Sequence, residues 1–109
     1  MKPWRLTPHA EESLYRIALW TLDRFGPAQA ERYQADLLER CEAVAAGRAV
    51  SYDCAVLAGD DTDGLRFVRA GEHFAVFVDL AAEVVFVDFL HGHSNLPRHV
   101  ASLTRKRQV

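Results

Sequence analysis

The side chains best suited to chemistry lie near the C-terminal end of the chain. His91, His93 and His99 are imidazoles that could act as a general acid or base. Arg69 or Arg98 could bind a phosphate. Cleavage of RNA needs a base for the ribose 2′-OH, an acid for the leaving oxygen and cations around the phosphate. These residues therefore make a ribonuclease one hypothesis.

The spacing of His91 and His93 also raises the question of a metal site. In an extended chain the two imidazoles would point the same way, and His99 or Asp88 could join them. However, nothing in the sequence fixes a third ligand, and the segment has the composition of a turn. We therefore expect no metal site.

Motifs for other reactions are missing from the sequence, which has neither a glycine-rich phosphate loop nor a serine nucleophile motif. Cys41 falls in an apolar helical stripe and is expected to be a buried thiol. Cys54 has no neighbouring His/Asp signature of a catalytic cysteine. The segment 59–64 is interpreted as a polar turn and not as a calcium loop, because Ala70 stands where the bidentate Glu is required.

The composition is that of one globular domain. Of the 109 residues, 50% are apolar and 26% are charged, which excludes a disordered chain. No apolar run approaches the roughly 18–20 residues that a membrane span needs. Two cysteines cannot form a disulfide framework. We therefore expect a single domain over residues 1–109, located in the reducing cytoplasm and away from membranes.

The formal net charge of −2 hides an uneven distribution. Residues 1–63 contain seven Lys/Arg and eleven Asp/Glu, whereas residues 64–109 contain six and four. No Asp or Glu occurs from residue 89 onward, where four cations and three histidines lie. The C-terminal end therefore carries a local positive field.

Two apolar stripes at helical spacing predict an antiparallel helix hairpin. A short strand at 4–6 is followed by Thr7 as N-cap and Pro8 in the first turn. Gly26 and Pro27 end the first helix and begin the second. The stripe residues are Ala10, Leu14, Ile17, Ala18, Thr21, Leu22 and Phe25 in the first helix and Ala30, Tyr33, Leu37, Cys41, Val44 and Ala45 in the second.

The last third of the sequence predicts β-structure. Runs of β-branched and aromatic residues at 65–69, 73–79 and 83–90 have short links between them, which is typical of a three-stranded antiparallel meander. A turn at 91–95 and a short helix at 97–103 follow. The predicted fold class is α+β, in the order β-α-α-β-β-β, with the helix hairpin packed on an antiparallel sheet and a short C-terminal helix or tail. The expected core contains Leu14, Ile17, Leu22, Phe25, Leu37, Phe67, Val76 and Phe86.

This order of elements, with particular residues at its junctions, resembles the ParE branch of the RelE/ParE toxin superfamily, the toxin halves of bacterial type II toxin–antitoxin pairs. The similarity covers about residues 4–100. Five motifs in the family's order make the resemblance specific. They are Leu6-Thr7-Pro8-His9-Ala10-Glu11, Phe25-Gly26-Pro27-Ala28-Gln29-Ala30 with Tyr33, Gly64-Leu65-Arg66, Gly71-Glu72-His73 and Phe89-Leu90-His91.

Three places depart from the family's pattern. Asp88 stands where an arginine usually precedes the leucine–histidine end of the last strand. Phe77 and Val78 replace a tyrosine and a basic residue, and Asn95 replaces a common aspartate. RNA-cleaving relatives use basic groups on this sheet, whereas an aspartate repels phosphate. Asp88 therefore argues against nuclease chemistry.

The resemblance implies a toxin that acts by binding and is not an enzyme, so no catalytic residue and no cofactor are expected. ParE-like toxins are known for inhibiting DNA gyrase, and the resemblance implies a ParD-like ribbon–helix–helix antitoxin that neutralises the toxin. Direct binding of nucleic acid by the toxin alone is not expected. A ribosome-dependent mRNA endoribonuclease of RelE type and a non-toxic relative that only binds the antitoxin remain as alternatives.

Two surfaces are expected to carry these interactions. The resemblance places toxicity in the segment after the leucine–histidine motif, which is also the basic end of the chain. On the first helix, Leu19 lies about 140° from Leu14 and Trp20 about 120° to the other side, and large apolar groups off the core stripe often mark interfaces. The expected target-binding residues are Arg69, His91, His93, Arg98 and His99, and the expected antitoxin-binding residues are Tyr15, Leu19 and Trp20.

Overall fold

The computed structural model describes residues 2–58 and 64–107. Most of the first half of the chain forms a helix hairpin. Helices α1 (Pro8–Phe25) and α2 (Pro27–Ala45) each begin at a proline, whose missing N–H costs nothing in the first turn. The Thr7 hydroxyl caps α1 by accepting a backbone N–H of the first turn at 3.1 Å. Between the helices Gly26 adopts a φ of 89°, which favours glycine. The predicted hairpin is confirmed.

The second half of the chain contributes most of a five-stranded sheet. Its strands are β1 (Trp4–Leu6), β2 (Tyr52–Asp53), β3 (Leu65–Ala70), β4 (His73–Asp79) and β5 (Val84–His91). Their order in the sheet is β1-β5-β4-β3-β2, and β3, β4 and β5 form the predicted antiparallel meander.

Two features of the sheet differ from the prediction. β1 pairs with β5 in parallel, because the chain crosses over between them through the helix hairpin and the rest of the sheet. β2 pairs with β3 but was not predicted, since two residues are too few to show an alternating pattern. The sheet is therefore mainly antiparallel, with one parallel edge pair.

Both faces of the sheet are covered. Along β3, Val68 and Ala70 pack toward the helix hairpin, whereas Leu65 and Phe67 pack on the opposite face. Helices α3 (Ala55–Ala58) and α4 (Leu96–Arg107) lie on that second face. This arrangement explains why β4 and β5 are apolar along nearly their whole length.

Six of the eight expected core residues are buried, but Leu22 and Phe25 are 44% and 62% exposed, so the prediction was wrong for these two. Thr21 takes the inward position on α1, and Leu22 lies a further 100° or so around the helix. Phe25 belongs to the last turn, where its ring lies 6.0 Å from that of Trp20 on the same helix.

The C-terminal helix is longer than predicted and belongs to the core. α4 extends beyond the expected 97–103, and its Val100 and Leu103 are buried on the second face of the sheet. The polar turn expected at 59–64 falls largely on residues 59–63, which lie outside the described part of the chain. Among residues 2–58 and 64–107, no helix has the length and apolar character that crossing a membrane requires.

Candidate functional site

A groove runs along one side of α1, where β5 continues beyond its pairing with β1 at Val84–Phe86. Three adjoining cavities of about 330, 260 and 230 Å³ make up this α1 groove. The first and second share Arg16 and His91, and the second and third share Trp20, His73 and His91. The groove is therefore continuous from the start of α1 to its end, with His91 common to all three cavities.

The polar end of the groove is organised around the buried carboxylate of Asp88. Its Oδ1 accepts hydrogen bonds from the Ser13 hydroxyl at 2.5 Å and from the Phe89 N–H at 2.8 Å. Its Oδ2 lies 3.1 Å from Nε2 of His9, which donates because a carboxylate only accepts. The aspartate that stands in place of the family's arginine thus joins α1 to β5.

The middle of the groove contains a hydrogen-bonded chain from α2 to β4. The Tyr33 hydroxyl accepts the Glu72 N–H at 2.9 Å and donates to Nδ1 of His73 at 2.6 Å. Burial raises the pKa of Tyr33, which keeps the hydroxyl protonated. Burial, with the ring of His91 nearby, lowers the pKa of His73 to about 4. His73 is therefore neutral at pH 7 and carries its proton on Nε2.

His91 is held in a similar way by the turn that follows β5. Its Nδ1 accepts the N–H of His93 at 3.1 Å, and its carbonyl accepts the Ser94 hydroxyl at 2.6 Å. With Nδ1 used as an acceptor, the proton of the ring lies on Nε2. The rings of His73 and His91 are 5.1 Å apart in an edge-on arrangement. Two imidazoles with fixed tautomers thus stand side by side in the groove.

Gly71 allows α2 to approach the turn between β3 and β4. Its φ is 61°, and a Cβ atom there would lie 2.8 Å from the ring of Tyr33. Only glycine meets both conditions. The Gly71-Glu72-His73 motif therefore has a structural reason, since the glycine admits the tyrosine that orients the histidine.

The far end of the groove is apolar. Trp20, Phe25 and Tyr33 line the cavity of about 230 Å³, together with Thr21. Trp20 and Phe25 remain 51% and 62% exposed, although their ring centroids lie only 6.0 Å apart. Exposed rings of this size beside a cavity are typical of an interaction site.

The chain from the first strand to the start of α4 matches a known family. A family model described as the ParE toxin of the type II toxin–antitoxin system, parDE, covers residues 4–96, which include the helix hairpin, the sheet and most of the α1 groove. The chain belongs to the ParE toxin family. This agrees with the resemblance found in the sequence motifs, and it fits the observed α+β fold.

Structural comparison gives the same fold. The chain is similar to one in a solved structure titled "Chromosomal ParDE TA system from P. aeruginosa", with a TM-score of 0.67 and 17% sequence identity. The alignment covers 84% of this chain and 96% of that one. A comparison with curated proteins finds no match.

The five residues that the ParE resemblance and the charge pattern selected for target binding lie in two places. His91 and His99 line the polar cavity, and the His93 ring is 5.2 Å from that of His91. Arg98 is exposed in the first turn of α4, beside His99. Arg69 does not line any of the three cavities of the groove. Its Nε donates to the carbonyl of Gly71 in the β3–β4 turn at 3.0 Å.

The three residues selected for antitoxin binding are divided between two sides of α1. Trp20 lines the groove. Tyr15 and Leu19 are 64% and 47% exposed, and at about 100° per residue they share the opposite flank of the helix with Leu22. The protein thus presents two apolar surfaces on the same helix.

Several groove residues were missed by the sequence analysis. Tyr33 and His73 belong to the motifs that carry the family resemblance, so those motifs could have pointed to them. No sequence signal joins His9 to Asp88, which lies 79 positions away. In the described ranges, no three His, Cys, Asp or Glu side chains are grouped so that they could hold a metal ion.

Proposed function

We propose that the protein is the toxin of a type II toxin–antitoxin pair, that it acts by binding DNA gyrase, and that a ParD-like ribbon–helix–helix antitoxin neutralises it. Membership of the ParE family supports this function. Such a toxin would work in the cytoplasm as one domain over residues 1–109, without a catalytic residue or a cofactor.

The burial and the hydrogen-bond partners of Asp88 are the observation that favours a binding mechanism over nuclease chemistry. Its carboxylate is only 7% exposed and is held by the hydroxyl of Ser13 and the imidazole of His9. A carboxylate held in this way opposes a phosphate at the position where RNA-cleaving relatives carry an arginine.

The toxic surface is assigned to the turn after β5 and the first turn of α4. Exposed His93, Arg98 and His99 lie there, in a part of the sequence that has no Asp or Glu. The exposed guanidinium of Arg98 favours an acidic patch on the target and accelerates its association.

The deciding experiment is a supercoiling assay with purified DNA gyrase. The toxin should inhibit supercoiling, and the ribbon–helix–helix protein encoded beside it should restore the activity when added in equimolar amount. Full gyrase activity at a large excess of folded toxin would reject gyrase as the target.

One observation keeps the endoribonuclease as a second candidate. His9, His91 and His99 line the same cavity as Arg16, which provides imidazoles and a cation within one polar site. Under the proposed function, mRNA on translating ribosomes stays intact. Codon-phased cleavage that disappears in His91→Ala would establish the nuclease instead.

A further inference from the structure

The side of the helix hairpin that faces away from the sheet carries a row of large apolar side chains. Tyr15 and Leu22 on α1 are 64% and 44% exposed, and Leu38 on α2 is 38% exposed. The Gln34 side chain of α2 donates to the carbonyl of Leu14 at 3.3 Å, which marks the sides on which the two helices meet. At about 100° per residue, the three apolar side chains lie on the solvent side of this line of contact. We call the row that they form the hairpin seam.

The hairpin seam has the shape that a further helix can pack on. Ala18 of α1 and Ala35 of α2 lie three or four residues from the large apolar side chains, and therefore on the same sides of their helices. Small residues between large ones leave a shallow depression, into which the side-chain ridge of another helix fits. A helix lying there would complete a three-helix arrangement.

Carboxylates stand at both ends of the hairpin seam. Glu31 precedes Leu38 by seven residues and Glu42 follows it by four, so both share its side of α2. Glu11 precedes Tyr15 by four residues on α1. Among the side chains that the structure describes, no Lys, Arg or His forms an ion pair with these three glutamates. Cations of a partner can therefore pair with them without breaking an internal ion pair.

These charges determine what can cover the hairpin seam. Two copies of this chain that met there would bring carboxylates against carboxylates, which opposes a dimer at this place. The cationic helix α4 of another copy does not fit either, because its apolar residues Val100 and Leu103 are buried on its own sheet. A helix with cations at both ends does fit. Glu31 and Glu42 are eleven positions apart on α2, which corresponds to about 16 Å.

We propose that the hairpin seam binds an amphipathic helix of a further partner protein, in which Lys or Arg about eleven positions apart flank an apolar stripe. The stripe packs on the apolar side chains of the seam, and the cations meet Glu31 at one end and Glu42 at the other. The seam lies on the flank of α1 opposite the α1 groove, so that both surfaces can be occupied at the same time. This partner is additional to the antitoxin and the target of the proposed function, and the proposal does not rest on either.

The first test determines the chemistry of the bound helix with a displayed library of helical peptides of about five turns. Peptides are selected on the wild-type protein and depleted on Leu38→Gln, which keeps only those that need the hairpin seam. Leu38→Gln should fold normally, because Leu38 is exposed and glutamine is a good helix former. The selected peptides should carry two Lys or Arg about eleven positions apart around an apolar stripe. Peptides without these cations, or no peptides at all, would overturn the proposal.

Charge-reversed variants then locate a selected peptide, with affinities measured by fluorescence polarisation and folding checked by circular dichroism. Glu31→Lys should weaken binding about threefold, and its combination with Glu42→Lys about tenfold. Replacing the two cations of the peptide by Glu should restore binding to the doubly changed protein. Asp36→Lys is the matched control, because Asp36 is exposed on α2 but lies roughly 120–140° around the helix from both glutamates. The same affinity for the wild type and the double variant would reject the assignment.

Two further measurements test the other possible occupants of the hairpin seam. In sedimentation velocity the protein should be a monomer, whereas a dimer that Leu38→Gln dissociates would show that a second copy fills the seam. The neutralising antitoxin should leave the labelled peptide bound, so that a ternary complex forms. Displacement of the peptide would show that the antitoxin itself occupies the seam. Either of these contrary results would overturn the proposal of a further partner, and neither would contradict the toxin–antitoxin function.

Discussion

The hydroxyl of Tyr33 on α2 donates to Nδ1 of His73 on β4 over 2.6 Å. The same oxygen accepts the backbone N–H of Glu72 in the β3–β4 turn at 2.9 Å. One tyrosine therefore fastens the helix hairpin to the end of the sheet and fixes the tautomer of a groove histidine. Stability and the shape of the α1 groove depend on the same contacts.

Gly71→Ala should destabilise the protein by about 1–3 kcal/mol. The new Cβ requires an unfavourable positive φ and would lie 2.8 Å from the Tyr33 ring. Gly47→Ala is the matched control, because Gly47 also has a positive φ, of 75°, but a Cβ there would meet no atom within 4 Å. Urea unfolding measures both changes, and equal losses would show that the contact with Tyr33 contributes nothing.

Stability should fall as the pH decreases from about 6.5 to about 4 because of His73. The unfolded chain takes up a proton near the ordinary pKa of about 6.5, whereas folding lowers the pKa of His73 to about 4. Protonation in this window therefore favours the unfolded state, by up to about 3 kcal/mol at the acidic end. Of the titratable neighbours, Tyr33 stays protonated in this window because burial raises its pKa, and His91 and Glu72 oppose each other in their effect on the pKa of His73.

The measurement is the free energy of unfolding at neutral pH and at about pH 4.5, within the window between the two pKa values, for the wild type and for His73→Gln. Glutamine can still accept from Tyr33 but does not titrate, so the variant should lose less stability between the two pH values. The same loss in both proteins would contradict the assignment to His73.

Both cysteines should resist alkylation in the native protein. Cys41 and Cys54 are fully buried, and burial raises the pKa of each thiol to about 12. Since only the thiolate reacts, iodoacetamide at about pH 8 should label neither residue in the folded state and both in denaturant. Mass spectrometry counts the adducts. Labelling of either cysteine in the folded protein would show that the structure around that cysteine opens to solvent.

The sequence predicted the elements that repeat a pattern over many residues. The two helices and the meander have long apolar stripes or runs, and their order was correct. Leu22 and Phe25 were misplaced because a stripe does not show where the packing partner of a helix lies. β2 was too short to produce a pattern, and the parallel pairing of β1 depends on the whole chain.

The α1 groove could not be predicted from local sequence patterns, for a related reason. It needs α1, β4 and β5 to meet, and Asp88 contacts Ser13 across 75 sequence positions. Trp20 and His91 were each selected for a different partner, yet the fold places both in one groove. Spatial neighbours of this kind have no signature in a single sequence.

α4 contributes buried core residues as well as the exposed Arg98, so its deletion is a poor test of the proposed toxic surface. Val100 and Leu103 are 0% and 7% exposed on the second face of the sheet, and burial of each contributes about 1.5–3 kcal/mol. A chain that ends at Asn95 should therefore lose several kcal/mol of stability, by the same reasoning. Its loss of toxicity would follow from unfolding alone, which makes a single exposed residue the better test.

Arg98→Glu should make the toxin more stable and less active. Arg98 lies in the first turn of α4, which has no acidic residue, and a positive charge is unfavourable at that end of a helix. The reversal should add about 0.3–1 kcal/mol in urea unfolding. Under the proposed function it should weaken gyrase inhibition at least tenfold, with a smaller difference at high salt, because the proposed contact is electrostatic. Arg32→Glu, with the same charge change on the exposed side of α2, should leave inhibition unaltered. A stabilised Arg98→Glu protein with full activity would place the target contacts outside α4.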